Sequence, residues 1–356
     1  MTIPFGRLAI GADQPCLLVA ELSANHNGSL QRALSTIDAA KAAGADAIKL
    51  QTYTADTLTL DVDRPEFVVP SGGPWAGRRL HDLYREAHTP WEWHPMLFER
   101  AREIGLEVFS TPFDSTAVDL LESLDAPGYK IASFELTDDG LLVRVAATGK
   151  PVVMSTGMAT EAEIAHAVEV LRSNGTRDLV LLHCTSAYPA PDESMALRAM
   201  RRLAALGGGP IGLSDHSEGI VAPIAAVALG AAMIEKHFTL ARNEGGVDAH
   251  FSLEPAEFRA LAKAVRRAEL MLRNEVVGPG LAESGSVVFR RSLFVVEDLA
   301  EGDLITERHI RSIRPGHGLA PRHLDQLIGR RAARAAARGT PTSWDLIGSA
   351  PEATAR

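Results

Sequence analysis

Residues 210–240 read PIGLSDHSEGIVAPIAAVALGAAMIEKHFTL, and this stretch indicates the fold of the chain. Two short apolar runs, PIGLSDH and MIEKHFT, flank an alanine-rich segment with the composition of a helix. Strands that are buried on both faces are continuous apolar runs, and a helical connection makes such strands parallel. The stretch therefore predicts a strand–helix–strand unit of an α/β protein.

Both runs carry a histidine at the end of the strand, His216 and His237, with the acidic residues Asp215 and Glu235 close by. Adjacent parallel strands lie about 5 Å apart, so the two imidazoles can converge on one divalent metal ion. One such histidine alone more often has a structural role, but the matched pair favours metal ligands. Two protein ligands leave positions open for water and substrate, as catalysis requires.

The same pattern occurs eight times between residues 15 and 240, with amphipathic segments such as EAEIAHAVEVLRSNG between most of the runs. Eight strand–helix units predict a (β/α)₈ TIM barrel, which we place in residues 1–274. The runs are CLLVAEL, DAIKLQT, LEVFSTP, GYKIASF, PVVMSTG, LVLLHCT, PIGLSDH and MIEKHFT.

Polar side chains that a packed core would not select stand at the end of nearly every run. Active sites of such barrels are built at the carboxyl ends of the strands. A single serine there is more often a turn or cap residue, but the repetition over eight strands predicts a site. The residues are Glu21, Lys49, Gln51, Ser110, Thr111, Lys130, Ser133, Ser155, Thr156, Thr185, Ser214, Asp215, His216, Lys236 and His237.

A long insertion, residues 56–93, separates the second and third runs and holds three of the four tryptophans, Trp75, Trp91 and Trp93. Within it, RRLHDLYREA predicts a short helix. Two interpretations of the tryptophans remain open: they anchor a long loop to the barrel, or they cover the mouth of the site.

The pattern changes after residue 274. The composition of residues 275–289 predicts a linker, and short alternating strands predict a small compact domain in residues 290–356. Residues 286–338 contain ten arginines and no lysine, although the chain has a net charge of −9. No aromatic residues alternate with these arginines, as they often do in nucleic-acid-binding segments. We therefore favour docking of this basic domain on an acidic barrel over binding to nucleic acid. Arg314, in a turn, is suited to a carboxylate or phosphate.

Composition excludes several classes of protein. With 356 residues and 46% hydrophobic content, the chain can bury a large core. No signal peptide or run of about 18 apolar residues appears, so we expect no membrane association. The two cysteines lack metal or redox spacing and suit a reducing cytoplasm.

Lys49 and Lys130 stand at the ends of the second and fourth runs. Such lysines either form a Schiff base with a carbonyl substrate or bind an anion. The residues alone barely separate these interpretations. Nearby hydroxyls of Ser133, Ser155 and Ser214 favour a phosphorylated and carboxylated substrate, and with a metal ion this predicts carbon–carbon bond formation.

Further motifs give the chain a family resemblance. AELSANHNGS, AIKLQTY, FSTPFD, YKIAS, STGM, GLSDHSEG and EKHFTL, followed by RRSL and IRPGHGL, resemble the sialic acid synthase family in order over residues 15–347. Within that family, PWAGRRLHDLYREAHTPWEWH, HCTSAYPAP and GGVDAHFSLEP most resemble the pseudaminic acid synthases. The resemblance implies a TIM barrel followed by a small antifreeze-like (SAF) domain, exchanged between the subunits of a homodimer.

The implied reaction condenses phosphoenolpyruvate with an amino-deoxy sugar, 2,4-diacetamido-2,4,6-trideoxy-β-L-altropyranose in its open-chain form, to give pseudaminate and phosphate. The resemblance makes His216 and His237 ligands of Mn²⁺ or Mg²⁺. Imidazole ligands alone would sooner suggest zinc, iron or copper, so this choice of metal depends on the resemblance.

The resemblance also assigns roles to individual residues. Glu21 would handle a proton, and Glu235 would orient a water or the metal ligands. Arg314 would arrive from the neighbouring chain to bind the carboxylate of phosphoenolpyruvate. The remaining contacts to phosphoenolpyruvate would be Lys49, Thr111, Lys130, Ser133, Ser155 and Ser214, and those to the sugar Gln51, Glu135, Tyr188 and Asp248.

One departure bears on the substrate. N-acetylneuraminate synthases usually carry asparagine where this chain has Ser186, which agrees with a 6-deoxy, less polar sugar. The alternatives are an N-acetylneuraminate or legionaminate synthase, a Schiff-base aldolase, and a non-enzymatic sugar-binding protein. A non-enzymatic protein would be expected to have lost the polar residues at its strand ends, whereas both histidines and both lysines are present.

Overall fold

The computed structural model describes residues 1–70, 73–273 and 277–348. The chain divides into two compact units, Met1–Asn274 and Glu275–Arg356. Within the described residues, no helix has the length and apolar character needed to cross a bilayer.

The first unit contains a closed barrel of eight parallel strands, which confirms the predicted TIM barrel. Each strand pairs with the next along the chain, and the last pairs with the first. The strands flanking the alanine-rich segment are neighbours, as predicted. The barrel strands are β3 (Leu17–Glu21), β4 (Ala47–Thr52), β5 (Glu107–Pro112), β6 (Tyr129–Ile131), β7 (Val152–Ser155), β8 (Leu179–Cys184), β9 (Ile211–Asp215) and β10 (Met233–His237).

Helices connect these strands and pack their apolar faces on the barrel. Side-chain caps fix several helix starts; the Ser29 hydroxyl, for example, accepts a hydrogen bond from the backbone N–H of Arg32. The helices are α1 (Leu30–Ala43), α2 (Ala55–Leu58), α3 (Leu80–Ala87), α4 (His94–Glu103), α5 (Ser115–Ser123), α6 (Asp139–Ala146), α7 (Glu161–Ser173), α8 (Met200–Gly207), α9 (Val221–Ala228) and α10 (Pro255–Leu272).

An antiparallel hairpin precedes the barrel, formed by β1 (Thr2–Phe5) and β2 (Leu8–Gly11). Its apolar side chains Ile3, Phe5 and Ile10 are fully buried among interior residues of the barrel strands, and the Phe5 ring packs edge-on against Phe109 at 5.0 Å. Sequence analysis missed this hairpin. Because it fills the interior at the start of the strands, the site is left to their carboxyl ends.

The insertion carries the predicted short helix, α3. The indole N–H of Trp91 donates to the carbonyl of Tyr53 at 3.2 Å, and that of Trp75 donates to the carbonyl of Val247 at 2.9 Å. Both tryptophans therefore fasten the insertion to the rest of the unit.

The second unit contains an antiparallel pair, β11 (Ser292–Val295) and β12 (Ile310–Ile313), and the short helix α11 (Leu324–Leu327). It has its own apolar core, which includes Leu293, Ile305 and Leu346. A 3₁₀ helix, Leu281–Phe289, lies within the stretch that we predicted as a linker.

Candidate active site

Four charged side chains lie together inside the barrel near the ends of the strands: Glu21, Lys49, Lys130 and Glu235. Each is at most 4% exposed. The Lys49 Nζ lies 2.6 Å from Glu21 Oε2 and 3.8 Å from Glu235 Oε1, and the Lys130 Nζ lies 3.5 Å from the same oxygen of Glu235. Buried charges are tolerated only when they are paired. The two lysines and two glutamates balance one another in this way.

Polar side chains on the neighbouring strands complete this network. Thr111 accepts a hydrogen bond from Lys49 at 3.1 Å, and Ser214 donates to Glu235 at 2.9 Å. The amide of Gln51 donates to Glu21 at 3.0 Å. Predicted residues of six separate strands are therefore brought together in this network.

Burial and neighbouring charges set the protonation of this group. Burial raises the pKa of Glu21 to about 7, an effect that the Lys49 ammonium only partly offsets. Burial would also raise the pKa of Glu235, but the ammonium groups of Lys130 and Lys49 lower it. The pKa of Lys49 is raised, because the two carboxylates outweigh its burial. Glu21 is thus suited to exchanging a proton near neutral pH.

The two predicted histidines lie side by side at the ends of β9 and β10. Their ring centroids are 5.3 Å apart. The Nδ1–H of His216 donates to the carbonyl of Thr185 at 3.1 Å, so Nε2 is the nitrogen that the neutral ring would offer to a metal ion, although contacts with Cys184 outweigh burial and raise the pKa of His216. Burial, followed by the charges of His216 and the nearby lysines, holds the pKa of His237 well below its usual range.

This pair fits a divalent metal ion. The Nδ1 atom of His237 is buried and has no hydrogen-bond partner, so an imidazole nitrogen that is neutral and able to ligate is available. Metal binding requires that unprotonated form. Across the described ranges, no three His, Cys, Asp or Glu side chains form a ready-made metal site, so water or substrate would supply the other ligands.

A buried ion pair supports the histidines. Lys236 faces Asp215 in the register of β10 on β9, and its Nζ lies 2.6 Å from Asp215 Oδ2. Asp215 also accepts hydrogen bonds from the backbone N–H and the hydroxyl of Ser217. These contacts fix the backbone on both sides of His216 and beside His237.

Residues 36–277 match the NeuB family, and residues 290–347 match the SAF domain. The chain belongs to the NeuB family. Pseudaminic acid synthase from Campylobacter jejuni is 44% identical over 90% of this chain and 94% of its own. Pseudaminic acid synthase from Helicobacter pylori is 42% identical over 94% of this chain and 98% of its own.

A solved structure is similar as well. The N-acetylneuraminic acid synthetase from Leptospira borgpetersenii, crystallised with citrate, is 32% identical, with a TM-score of 0.72 over 81% of this chain and 95% of that one. The predicted membership of the family is therefore confirmed, as is the barrel followed by a SAF domain.

In this NeuB-family barrel, hydroxyl groups cluster around Gly157. The Gly157 N–H donates to the Ser133 hydroxyl at 3.0 Å, and a side chain at Gly157 would collide with the hydroxyls of Ser133 and Ser186. Ser155 is buried and its hydroxyl has no partner. Unpartnered or closely packed hydroxyls are suited to an anionic ligand.

A cavity of about 450 Å³ adjoins this cluster on the outer side of the barrel strands. Its lining combines Thr156, Cys184 and Ser186 with apolar side chains of α7 and α8, such as Ile164 and Leu203. The cavity thus reaches the hydroxyl cluster but not the buried lysines or His237.

The remaining predicted residues of the NeuB-family site lie in loops. Asp248 is buried and accepts a hydrogen bond from Ser23, and burial raises its pKa. Glu135 is half-buried, and burial raises its pKa to about 7. Tyr188 packs against the ring of His216 at 4.3 Å between centroids. Arg314 follows β12 and belongs to the second unit.

Sequence analysis missed three residues that contact the site. Ser23 links Asp248 to Gln51, Cys184 lies 3.7 Å from His216 Nδ1, and Phe251 packs against His237 at 4.8 Å. Two of them carried a signal in the sequence. Phe251 belongs to the GGVDAHFSLEP motif, and Cys184 is the last residue of β8, at the end where the site is built.

Proposed function

We propose that this chain is a pseudaminic acid synthase, which condenses phosphoenolpyruvate with 2,4-diacetamido-2,4,6-trideoxy-β-L-altropyranose to give pseudaminate and phosphate. The observation that carries the reaction type is the meeting of two buried lysines, two glutamates and a histidine pair at the open end of the barrel. The choice of sugar is supported by relatives of that name at 44% and 42% identity, against 36% for the N,N'-diacetyllegionaminic acid synthase of Legionella pneumophila.

Phosphoenolpyruvate requires cations for its phosphate and carboxylate. Lys49 and Lys130 supply two positive charges, and Thr111 and Ser214 each contact this charged group. The hydroxyls of Ser133 and Ser155 provide further donors for the phosphate. The raised pKa of Lys49 keeps its amine protonated, which disfavours a Schiff base at Lys49, whereas burial lowers the pKa of Lys130.

The sugar aldehyde would lie beside His216 and His237, near Tyr188, Asp248, Gln51 and Glu135. A divalent metal held by the two histidines, Mn²⁺ or Mg²⁺, would act as a Lewis acid toward the aldehyde oxygen. C3 of phosphoenolpyruvate then attacks the aldehyde carbon, water adds at C2, and phosphate leaves by C–O cleavage. Glu21, with its pKa of about 7, supplies the proton that the new hydroxyl group gains.

We expect phosphate release from phosphoenolpyruvate with the diacetamido sugar and none with N-acetylmannosamine. EDTA should abolish the release, and Mn²⁺ should restore it, because the two histidines alone cannot replace the Lewis acid. A phosphate-release assay with each candidate sugar, with and without EDTA, measures this. Phosphate from N-acetylmannosamine or the legionaminate precursor alone would overturn the choice of sugar, and activity that survives EDTA would overturn the metal.

We also propose a cytoplasmic homodimer in which the SAF domain, proposed as residues 290–356, completes the partner's site. The unpaired cysteines Cys16 and Cys184 suit that compartment. Arg314 follows a strand of the SAF unit, and a guanidinium binds a carboxylate through two parallel hydrogen bonds.

A shared site predicts complementation between inactive subunits. Arg314→Ala should lose activity yet remain dimeric, and mixing it with His237→Ala should restore part of the activity, because some mixed dimers then contain one complete site. Phosphate release after co-refolding, with sedimentation to verify the dimer, measures the recovery. Mixed dimers without activity would contradict the exchange of domains.

A further inference from the structure

Trp75 of the insertion belongs to an aromatic cluster beside the two histidines. Its ring lies 5.5 Å from that of Tyr188 and 6.3 Å from that of Phe251. Tyr188 and Phe251 in turn pack against His216 and His237 at 4.3 and 4.8 Å. A continuous aromatic surface therefore runs from the histidine pair to Trp75, which stands at its far end.

The indole of Trp75 presents apolar surface in this position. Its single polar group, the Nε1–H, already donates to the carbonyl of Val247 at 2.9 Å. Phe251 has no polar side-chain atom and is 4% exposed. Trp75 itself is half-buried, so the protein does not fully cover its side chain.

We propose that Trp75 determines specificity by packing against the C6 methyl group of the sugar and disfavouring a sugar with a hydroxyl there. This inference depends on the proposed function, in which the aldehyde carbon C1 lies at the histidine pair. C6 is the opposite end of the open-chain sugar and would therefore extend along the aromatic surface toward Trp75. A C6 hydroxyl buried against that surface would lose its hydrogen bonds to water.

Trp75 is also linked to the sugar site through its hydrogen bond to Val247, because the residue after Val247 is the buried Asp248. If Trp75 had only a structural role, that role would be the hydrogen bond from its indole N–H to Val247. Two substitutions separate the roles. Trp75→Phe keeps an apolar ring and removes the N–H donor, whereas Trp75→Gln keeps an N–H donor and removes the apolar ring.

The experiment compares kcat/KM for the 2,4,6-trideoxy sugar with that for its counterpart bearing a C6 hydroxyl, at saturating phosphoenolpyruvate and Mn²⁺. An apolar pocket discriminates against an added hydroxyl by about 10²-fold, so we expect that ratio for the wild type. Trp75→Gln should lower the ratio at least about tenfold, chiefly through a higher KM for the trideoxy sugar, and Trp75→Phe should retain most of it. Trp91→Phe, a second tryptophan of the insertion with a comparable backbone hydrogen bond, is the matched control and should keep the ratio.

Both sugars are assayed on the same preparation, so the ratio does not depend on how much of a variant is folded. A wild-type ratio in Trp75→Gln, or a ratio lowered in Trp75→Phe but not in Trp75→Gln, overturns the inference and leaves the proposed function standing. A wild type that releases no phosphate with the trideoxy sugar overturns both.

Discussion

Replacing His237 with glutamine is expected to abolish Mn²⁺ binding and to lower kcat/KM by about 10³-fold, the equivalent of about 4 kcal/mol of transition-state stabilisation. The imidazole of His237 is buried beside His216, with its Nδ1 unpartnered and its protonated form disfavoured. Removing it takes away one of the two proposed protein ligands. Calorimetric titration with Mn²⁺ and the phosphate-release assay measure the two effects independently.

The control for this substitution is His166→Gln. His166 is an exposed histidine of α7 that pairs with Asp139 on the surface, and its replacement should leave both metal affinity and turnover unchanged. If His237→Gln binds Mn²⁺ as tightly as the wild type, the histidine pair does not hold the metal.

The barrel was predictable because its strands are buried on both faces, so that each appears in the sequence as an unbroken apolar run. The hairpin of β1 and β2 was not, since four alternating residues such as TIPF resemble many loops. Its burial comes from the barrel interior, through contacts such as that of Phe5 with Phe109, which are remote in sequence.

At the site, the sequence likewise did not reveal which strand-end side chains point in the same direction. Sequence analysis placed Lys236 and Asp215 among the strand-end groups of the mouth, together with His237. In the structure these two side chains pair with each other, whereas Glu235 contacts Lys49 and Lys130. Successive side chains of a strand point to opposite faces, so Lys236 cannot share the direction of Glu235. Composition at a strand end does not reveal this alternation until the register is known.

Loop residues were the hardest to assign. Trp75 and Phe251 are 176 positions apart in the sequence, yet their rings meet beside the histidines. Trp75 lies in a turn and Phe251 in a 3₁₀ helix of only three residues, so local pattern gave no indication of that contact. The hydrogen bond of Trp75 to Val247 agrees with an anchor for the loop, and its packing on Tyr188 brings it close to the histidine pair, so both interpretations of this tryptophan remain predictions.

Replacing Lys236 with methionine is expected to destabilise the barrel unit by about 3–5 kcal/mol, because it leaves the Asp215 carboxylate buried without its counter-ion. Both side chains are at most 1% exposed, so water cannot compensate. Urea denaturation measures the loss. Adding Asp215→Asn removes the stranded charge and keeps an acceptor for Ser217, so the double variant should recover about half of it.

The matched control for Lys236→Met is Arg202→Met, which breaks an exposed ion pair with Glu161 and should cost about 0–1 kcal/mol. Equal losses in the two single variants would mean that the Lys236–Asp215 pair does not stabilise the fold. A larger loss in Lys236→Met together with weaker Mn²⁺ binding is the expected result, because Lys236 adjoins His237 and Asp215 adjoins His216 in the chain. The ion pair then both stabilises the two strand ends and holds the histidines in position for the metal.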